Sequence, residues 1–453
     1  MPKKKTALTI EERLQQALVP AEEQPYEVPE NWVWVRLGAI AEIVTGGTPS
    51  KKHPEYYGGN FPFYKPSDLD QGRLTYDASE YLSEEGKNVS RIIPKNSTAV
   101  CCIGSIGKCG YLMCEGTTNQ QINSAIPKIN SLCLYYYLCT ENFVQDLLSM
   151  ASATTIAIVN KSKMESCAFP LPPLSEQQRI VERIEELLAK LDEAKERLQE
   201  VADSFAVRKA AILHKAFTGE LTKQWRWENG VSYESWEEKK GEDFFEYVTS
   251  GSRGWAKYYS DKGSIFIRMG NLNHGTIELD FSDIQYVELP DQVEGQRSKL
   301  QKNDILISIT ADVGMIALVR EDMDAYINQH VALARPKNDL YAEFLAWYFV
   351  SDDGLQQMQN KQRGATKIGL GLQDIRSIIL KIPTLPEQHE IVRLIDDLLA
   401  RERAAQQAAE QALASIDLMK KSILARAFRG ELGTNNASEA SALELLKQVL
   451  AEN

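Results

Sequence analysis

The chain repeats part of itself 211 residues apart, and this repeat constrains the fold more than any other feature. Ala216–Leu221, which reads AFTGEL, returns as Ala427–Leu432, which reads AFRGEL, and Leu174–Gln177 returns as Leu385–Gln388 at the same offset. Two diverged copies in one polypeptide predict a molecule with pseudo-two-fold symmetry. Such a molecule suits a partner that is itself pseudo-two-fold, such as duplex DNA.

A long helix is predicted near the end of each copy. From Ser175 to about Phe217, apolar residues recur in alternating steps of four and three, which is a heptad pattern, and such a helix is roughly 60 Å long. The second helix, from about Pro386 to Phe428, has a seam of mostly small residues, and Glu402 stands where the first has Leu191. The predicted seams are Ile180, Ile184, Leu187, Leu191, Ala194, Leu198, Val201 and Phe205, and Ile391, Ile395, Leu398, Ala405, Ala409, Ala412, Ile416 and Ile423.

A helix of this length with a single apolar stripe needs a partner, because the stripe is not stable in water. The alanines of the second helix allow a close backbone approach, and the larger residues of the first fill the gap. We therefore predict an intramolecular antiparallel pair. The alternative is two long helices that belong to separate bundles.

The segments that precede the helices match each other more weakly, and their offset rises from 203 to 209 residues. Short β-like runs such as Ser97–Ile103, glycine-rich turns and a helical patch at Leu132–Met150 predict an α+β fold. Near the N-terminus, Thr9 and Glu12 form a capping box for a short helix that extends to Val19. The predicted divisions are an N-terminal arm at 1–28, a first globular domain at 29–169, a first spacer helix at 170–222, a linker and second globular domain at 223–382, a second spacer helix at 383–433 and a C-terminal tail helix at 434–453.

The composition excludes several classes of protein. No stretch of about 18 apolar residues occurs and no apolar signal core follows the N-terminus, so we expect a cytoplasmic protein without a membrane partner. All seven cysteines lie in the first half without a Cys-x-x-Cys pair, which argues against a disulfide framework or a zinc site. The net charge of −12 is unusual for a DNA-binding protein. Either the basic groups concentrate on one face, or the acidic excess faces protein partners.

Motifs for catalysis are missing. Gly104–Lys108 lacks the spacing and the Ser or Thr of a phosphate-binding loop, and its counterpart Thr310–Met315 has no lysine. Gly369–Gly371 lacks the third glycine of a dinucleotide-binding turn. There is no Asn/Asp-Pro-Pro-Tyr/Phe motif of an amino-methyltransferase, and no histidine has an acid and a nucleophile beside it in both copies. We expect a non-catalytic chain that holds no cofactor and no metal.

Polar residues that recur in both copies are the candidates for DNA contacts. Amide side chains can read adenine or hold phosphates, and basic residues beside glycine-rich loops can approach the backbone closely. For the asparagines and glutamines, capping of internal turns is an equally good interpretation. The candidates are Thr45, Gly46, Lys51, Lys52, Lys108, Asn119, Gln120, Thr154, Thr155, Asn160 and Lys161 in the first copy, and Ser250, Arg253, Lys257, Asn328, Gln329, Arg363, Thr366 and Lys367 in the second.

Several of these motifs together resemble one known family. The run PLPPLSEQQ at residues 170–178, the close AFTGELT at residues 216–222 and their echoes in the second half are similar to the specificity subunit of Type I restriction-modification enzymes. The segment Pro29–Trp32 and the linker Thr222–Arg226 share the likeness, which covers almost the whole chain.

The resemblance implies that the two globular domains are target recognition domains, joined by two antiparallel spacer helices that set the spacer of the DNA site. Each domain would read one half of a split, asymmetric double-stranded DNA site in the major groove. Two modification subunits that bind S-adenosylmethionine and methylate adenine, and two restriction subunits that use ATP with Mg, would be the partners. The alternatives are a self-contained DNA methyltransferase or nuclease, and a coiled-coil scaffold that does not bind DNA.

Overall fold

The computed structural model describes residues 9–152, 157–290, 296–363 and 369–452. The elements of the first half are α1 (Ile10–Ala17), β1 (Val33–Arg36), α2 (Leu37–Ile40), β2 (Ala41–Thr45), β3 (Tyr57–Tyr64), β4 (Glu80–Leu82), α3 (Glu84–Asn88), β5 (Thr98–Cys101), β6 (Cys109–Tyr111), β7 (Thr117–Thr118), β8 (Ile122–Pro127), α4 (Ser131–Leu138), α5 (Glu141–Met150), α6 (Lys161–Ser166), β9 (Ala168–Leu171), α7 (Leu174–Asp203) and α8 (Phe205–Phe217).

The second half continues in the same style. Its elements are α9 (Lys223–Asn229), β10 (Glu237–Lys240), α10 (Gly241–Phe244), β11 (Phe245–Ser250), β12 (Tyr259–Ser260), β13 (Ser264–Ile267), β14 (Tyr286–Val287), β15 (Ile305–Ser308), β16 (Ile316–Leu318), β17 (Ala325–Ile327), β18 (Val331–Pro336), α11 (Ala342–Val350), α12 (Asp352–Asn360), α13 (Leu372–Arg376), β19 (Ile379–Ile382), α14 (Leu385–Ala427) and α15 (Ala442–Ala451).

The chain divides into two compact units that do not follow the order of the sequence. The first unit comprises Met1–Arg197 together with Gln411–Asn453, and the second comprises Leu198–Glu410. Each unit therefore contains one globular domain, the start of one spacer helix and the end of the other. We call residues 29–169 the first head and residues 236–382 the second head.

The two heads are built on the same sheet. In the first head, four antiparallel strands lie in the order β2-β8-β5-β6, and in the second the order is β11-β18-β15-β16. A two-stranded sheet links the edges of each head, β1 with β9 and β10 with β19. The turns before β5 and β15 also correspond. Asn96 (φ 67°) and Asn303 (φ 73°) both adopt the left-handed conformation that asparagine tolerates. The predicted α+β fold with an internal repeat is confirmed.

The two heads differ in their second sheet. In the first head it has three strands in the order β4-β3-β7, and in the second it has four in the order β12-β14-β13-β17. These sheets lie in the regions where the offset between the copies changes. Insertions thus fell in the loops and the second sheet, while the central sheet was kept.

An aromatic contact joins each head to the end of a spacer helix. In the first unit, Phe428 packs against Tyr137 with 5.1 Å between ring centroids, and Tyr137 also contacts Phe169 at 4.8 Å. In the second unit, Phe217 packs against Tyr348 at 5.3 Å. Phe217 and Phe428, like Tyr137 and Tyr348, are 211 residues apart. The helix repeat and the head repeat therefore form one packing unit.

The spacer helices pair in an antiparallel manner, as predicted. In the first unit, Lys420 of α14 contacts Asp192 of α7 at 2.5 Å, and in the second unit Arg208 of α8 pairs with Glu402 of α14. Residue numbers rise along one helix as they fall along the other. Arg208 also explains why a carboxylate can occupy the seam position of Glu402, since the charge is paired.

The first spacer helix is not continuous, contrary to the prediction of a single helix from Ser175 to Phe217. It is interrupted at Ser204, between α7 and α8. The hydroxyl of Ser204 and Nη2 of Arg208 both donate to the carbonyl oxygen of Val201 at 3.1 Å. Side-chain donors of this kind compete with the helical backbone bonds, which a heptad pattern does not reveal.

The predicted seams are only partly correct. Ile180, Ile184, Ile391 and Ile395 are buried against the heads, but Val201 and Ala405 are exposed. In α14 the fully buried leucine is Leu399, whereas the predicted Leu398 is half-buried. Where a helix packs on a head, its buried positions follow steps of four, because the contact surface is broader than the narrow seam of a coiled coil.

A buried glutamate anchors the start of each spacer helix. Glu176 accepts hydrogen bonds from Nε1 of Trp32 (2.7 Å), Nδ2 of Asn435 (2.9 Å) and Oγ1 of Thr434 (3.3 Å), and we call this the Glu176 network. The donors come from the head and from the segment that follows α14. The carboxylate therefore joins the start of α7 to the segment that follows α14.

The Glu387 network is the counterpart in the second unit. Glu387 accepts from Nη1 of Arg226 (2.6 Å), Oγ1 of Thr222 (2.7 Å) and Nε1 of Trp236 (3.0 Å). Arg226 is almost fully buried, and Glu387 completely so. The second network thus contains a buried ion pair where the first has only neutral donors.

The described residues of the N-terminal arm and of the C-terminal tail both belong to the first unit. Thr9 and Glu12 form the predicted capping box of α1, and Ser441 caps α15. Nη1 of Arg13 donates to the carbonyl oxygen of Leu450 at 3.2 Å, so α1 contacts α15. In the part of the chain that the structure describes, no helix is long and apolar enough to cross a membrane.

Candidate nucleic-acid interface

The central sheet of each head collects the recurring polar loops at one end. Because the strands are antiparallel, β2 and β5 end at the same end of the sheet at which β8 and β6 begin. In the second head, β11 and β15 likewise end where β18 and β16 begin. We call these loops the loop end of each head. They comprise residues 46–53, 102–108 and 119–121 in the first head, and residues 251–258, 309–315 and 328–330 in the second.

A glycine allows two of these loops to touch in the first head. The amide of Gly46 donates to the carbonyl oxygen of Ile122 at 2.9 Å, and the amide of Gly47 donates to that of Thr118 at 2.8 Å. A Cβ atom on Gly46 would lie only 2.2 Å from the carbonyl oxygen of Asn119. The glycine-rich loop and the Asn-Gln loop therefore meet at a position that has no room for a side chain. The sequence had indicated the two loops separately as candidates for DNA contacts.

The second head repeats this contact. A Cβ atom on Gly251 would lie 1.9 Å from the carbonyl oxygen of Ile327, and Ser252 forms a β-bridge with Asn328. The predicted contact residues Arg253, Asn328 and Gln329 thus lie on adjoining loops, and Ser250 is the last residue of β11, just before the first of these loops. The same close approach in both heads shows that it belongs to the common scaffold.

The asparagines of these loops cap turns. Oδ1 of Asn119 accepts a hydrogen bond from the backbone N–H of Gln121, and Oδ1 of Asn328 accepts one from the backbone N–H of His330, both at 3.0 Å. Both asparagines are buried. Of the two interpretations of these amides, internal turn capping describes the contacts of Asn119 and Asn328. Gln120 is exposed.

A polar cleft opens at the loop end of the second head. Its lining includes the cations Arg253, Lys257 and Arg297, the aromatic ring of Tyr258 and the amide of Gln329. Nζ of Lys257 lies 4.9 Å above the centre of the Tyr258 ring. Three cations thus line one cleft together with the amide of Gln329, despite the acidic balance of the chain.

The cations of the first head are more dispersed. Lys51 and Lys52 are exposed in the loop that follows Gly46, and Nη1 of Arg91 donates to the carbonyl oxygen of Thr45 at 2.5 Å. Oγ1 of Thr45 donates to Oδ1 of Asn123 at 2.8 Å. Lys108, by contrast, forms a 2.6 Å ion pair with Asp70 of the same head. Its charge is thus already paired at this site.

A further loop borders the loop end in each head. Ile158 forms a bridge with Ile103, and Gly369 forms bridges with Thr310 and Arg363. Beside these bridges, Asn160 caps α6 by accepting from the amide of Lys163, Lys161 pairs with Glu165, and Arg363 pairs with Asp374. Thr154, Thr155, Thr366 and Lys367, which were predicted to contact DNA, lie outside the described residues.

The thiols near the first loop end are protonated at neutral pH. Burial raises the pKa of Cys102 to about 12, and burial also raises the pKa of Cys101. A protonated thiol is a poor nucleophile and a poor metal ligand. Within the described residues, no group of three histidine, cysteine or acidic side chains is arranged to hold a metal ion.

Comparison of the two copies in the sequence did not select some residues of the interface. Arg297 reaches the polar cleft of the second head, and Arg91 reaches Thr45 from a distant part of the chain. At the offset of 207 residues that applies here, Arg91 corresponds to Ser298 and Arg297 to Ser90, so the two arginines are one position out of register. Only the folded chain brings these cations to the loops.

Two equivalent α+β heads with polar loop ends, each packed on a pair of long helices, define a two-headed binding protein. A family model described as the Type I restriction modification DNA specificity domain matches the chain twice, over residues 29–203 and 233–412. The two matches cover well over half of the sequence. The chain belongs to this family and has one specificity domain in each half.

Curated relatives match nearly the whole chain. The EcoBI specificity subunit of a Type I restriction enzyme from Escherichia coli is 28% identical, over 94% of this chain and 93% of the relative. The EcoKI specificity subunit, also from Escherichia coli, is 24% identical, over 94% of this chain and 96% of the relative. The crystal structure of the HsdS subunit from Thermoanaerobacter tengcongensis has a similar fold, with a TM-score of 0.65 at 19% identity, and covers 90% of this chain and 99% of that one.

These matches confirm the identification made from the sequence. The chain is a DNA specificity subunit of the Type I restriction-modification class with two recognition domains. The alternatives of a self-contained methyltransferase or nuclease, and of a scaffold that does not bind DNA, are disfavoured.

Proposed function

We propose that each head reads one half of a split, asymmetric DNA site in the major groove, and that the spacer helices set the number of unread base pairs between the halves. The first head reads one half-site and the second head reads the other. Because the heads share a scaffold but differ in loop residues, the two half-sites differ in sequence.

One observation supports this proposal above the others. The recurring polar loops of both copies lie at the same end of a sheet with the same strand order, so each head has one surface that can enter a groove. Exposed cations on that surface, such as Lys51 and Lys52 in the first head and Arg253 and Lys257 in the second, suit phosphate contacts. Asn119 and Asn328 contribute by shaping the loops that present Gln120 and Gln329.

We also propose that two copies of one partner, the modification subunit, dock on the spacer helices. Val207 and Leu418 are 211 residues apart, and 71% and 67% of their surfaces are exposed. Leu174 and Leu385 form a second such pair. Exposed apolar residues at equivalent positions create the same surface twice, which fits two identical partners.

The chemistry is proposed to reside in the partners. This chain is non-catalytic, while two modification subunits supply S-adenosylmethionine for adenine methylation and two restriction subunits use ATP and Mg. The assembled complex acts on double-stranded DNA in the cytoplasm. The acidic balance of the chain fits a subunit whose grip on DNA is completed by basic partners.

The direct test is to map methylated adenines genome-wide in cells with and without this gene. We expect a two-part motif with a fixed spacer that disappears when the gene is deleted. A motif that persists after deletion, or the absence of any such motif in the original cells, would contradict the proposed function.

The spacer function has its own test. Deleting one heptad from each spacer helix shortens the pair by about 10 Å at 1.5 Å per residue, and the preferred spacer should shorten by roughly three base pairs. Where the accompanying rotation is not tolerated, methylation should be lost. Retention of the original spacer would contradict a role of the helices in setting it.

A further inference from the structure

Three side chains at the second loop end form a chain of hydrogen bonds. Nδ1 of His330 lies 2.6 Å from Oγ1 of Thr310, and Nε2 of His330 lies 2.9 Å from the amide nitrogen of Gln329. Both nitrogens of the imidazole are therefore engaged, and the orientation of its ring is fixed. This series of hydrogen bonds ends at Gln329, which lines the polar cleft.

The chemistry of the groups determines where the protons lie. An amide nitrogen donates hydrogen bonds and does not accept them, so Nε2 of His330 accepts from Gln329. In a neutral imidazole the other nitrogen carries the proton, and Nδ1 therefore donates to Oγ1 of Thr310. One N–H of Gln329 is used in this way. Among the described residues, no contact engages its second N–H or its Oε1.

The backbone below Gln329 is held firmly. The amide of Asn328 donates to the carbonyl oxygen of Ile267 at 3.0 Å, and the amide of Val331 donates to the carbonyl oxygen of Asn328 at 3.2 Å. Gly251 packs against this segment without room for a side chain. The free edge of the Gln329 amide is thus presented in a fixed orientation, as a recognition contact requires.

This free edge matches one DNA base. An N–H and a C=O side by side on a planar amide pair with N7 and N6 of adenine in the major groove. Guanine offers two acceptors at the same edge, so the carbonyl oxygen of Gln329 would face another acceptor. Arg253, Lys257 and Arg297 line the same cleft and can hold the phosphates on either side of the base.

We propose that Gln329 reads an adenine in the half-site of the second head, and that His330 and Thr310 are positioning residues that fix the orientation of its amide. This inference rests on the proposed function and adds to it the base and the residue that reads it. The first head lacks this series of hydrogen bonds. There, Gln121 replaces His330, Ile103 replaces Thr310, and Oε1 of Gln120 accepts a hydrogen bond from Thr48.

The test uses the full chain assembled with its modification subunits. Gln329→Glu keeps the size of the side chain but replaces its amide N–H groups with an oxygen that only accepts. We expect one A·T position in the second half-site to lose its preference by about 5- to 150-fold, the range that a bidentate base contact confers. The half-site of the first head should be unchanged in the methylation map.

Two further variants test the positioning residues. His330→Phe and Thr310→Val remove the chain of hydrogen bonds but leave Gln329 in place. Both should weaken the preference for adenine at that same position, while affinity for DNA without the motif stays as in the original complex. A purely structural role would lower both quantities together. Gln120→Glu in the first head is the matched control and should leave the second half-site intact.

An unchanged motif in the Gln329→Glu complex, or a loss confined to a position that is not an A·T pair, would overturn the inference. If this variant does not methylate, binding to four duplexes that differ only at the base pair in question decides the matter. Selective weakening on the adenine duplex supports the inference, and equal weakening on all four overturns it. A complex of the original chain that yields no two-part motif would instead count against the proposed function.

Discussion

The two heads share a scaffold and differ in the chemistry at both of its ends. Their central sheets have the same strand order, and Gly46 and Gly251 each permit the same contact between loops. At the loop end, the second head gathers three cations in a cleft, whereas those of the first head are dispersed. Conserved backbone geometry with different side chains is what a protein needs to read two unlike half-sites.

The opposite end of each head shows a second difference. The Glu176 network is made of neutral donors, whereas the Glu387 network includes the buried cation Arg226. A buried carboxylate with neutral donors depends on hydrogen bonds, and a buried ion pair depends on both partners being present. Equivalent anchors of the two spacer helices should therefore respond differently to the same substitution.

The largest expected effect comes from neutralising these carboxylates. Glu387→Gln leaves Arg226 buried without a counter-charge and should destabilise the second unit by about 3–5 kcal/mol. Glu176→Gln in the first unit should cost only about 1–3 kcal/mol, because its partners are uncharged. Amide hydrogen exchange along a denaturant series measures each unit separately.

A rescue variant sharpens this comparison. Adding Arg226→Met to Glu387→Gln removes the unpaired charge and should recover part of the lost stability. Equal losses for Glu387→Gln and Glu176→Gln, or no recovery in the double variant, would show that the ion pair does not distinguish the two anchors.

A smaller effect is expected from filling the contact between loops. Gly46→Ala should force the two loops of the first head apart, destabilise that head by about 1–3 kcal/mol and weaken recognition of its half-site alone. Gly47→Ala is the matched control, because a Cβ atom there meets no atom within 4 Å. Methylation maps and melting curves of both variants provide the measurement. Equal behaviour of the two variants would contradict the proposed close approach.

The smallest effect concerns a single cation. Arg363→Ala should weaken binding to all sequences and make the dependence of log affinity on log salt shallower by about 0.9, the contribution of one phosphate contact. Arg401→Ala is the control on α14. Its side chain is 73% exposed and ion-paired, while that of Arg363 is 82% exposed and ion-paired. A salt slope unchanged by Arg363→Ala would remove this residue from the phosphate contacts.

The parts of the fold that repeat could be predicted from the sequence, and the parts that break the repeat could not. The helices, the capping box of α1 and the α+β heads left periodic or motif-like signals. The interruption at Ser204 left none, because it depends on how Arg208 reaches the carbonyl oxygen of Val201 and the carboxylate of Glu402. A pattern of apolar residues carries no information about such side-chain competition.

The candidate site shows the same division. The glycine-rich and Asn-Gln loops were found because both copies contain them, yet their contact through Gly46 became visible only in the folded chain. Arg91 and Arg297 are one position out of register at the offset of 207 residues, so position-by-position comparison of the copies did not select them. The different surroundings of Gln120 and Gln329 also depend on contacts between residues far apart in sequence, such as that between Thr310 and His330.

Independent reading by two heads is the central claim, and exchanging one head tests it most directly. Residues 30–169 would be replaced by the first head of another specificity subunit, and methylated adenines would be mapped in cells that carry the hybrid. We predict a motif in which one half-site is new, while the other half-site and the spacer are unchanged. A motif altered in both halves would contradict the account.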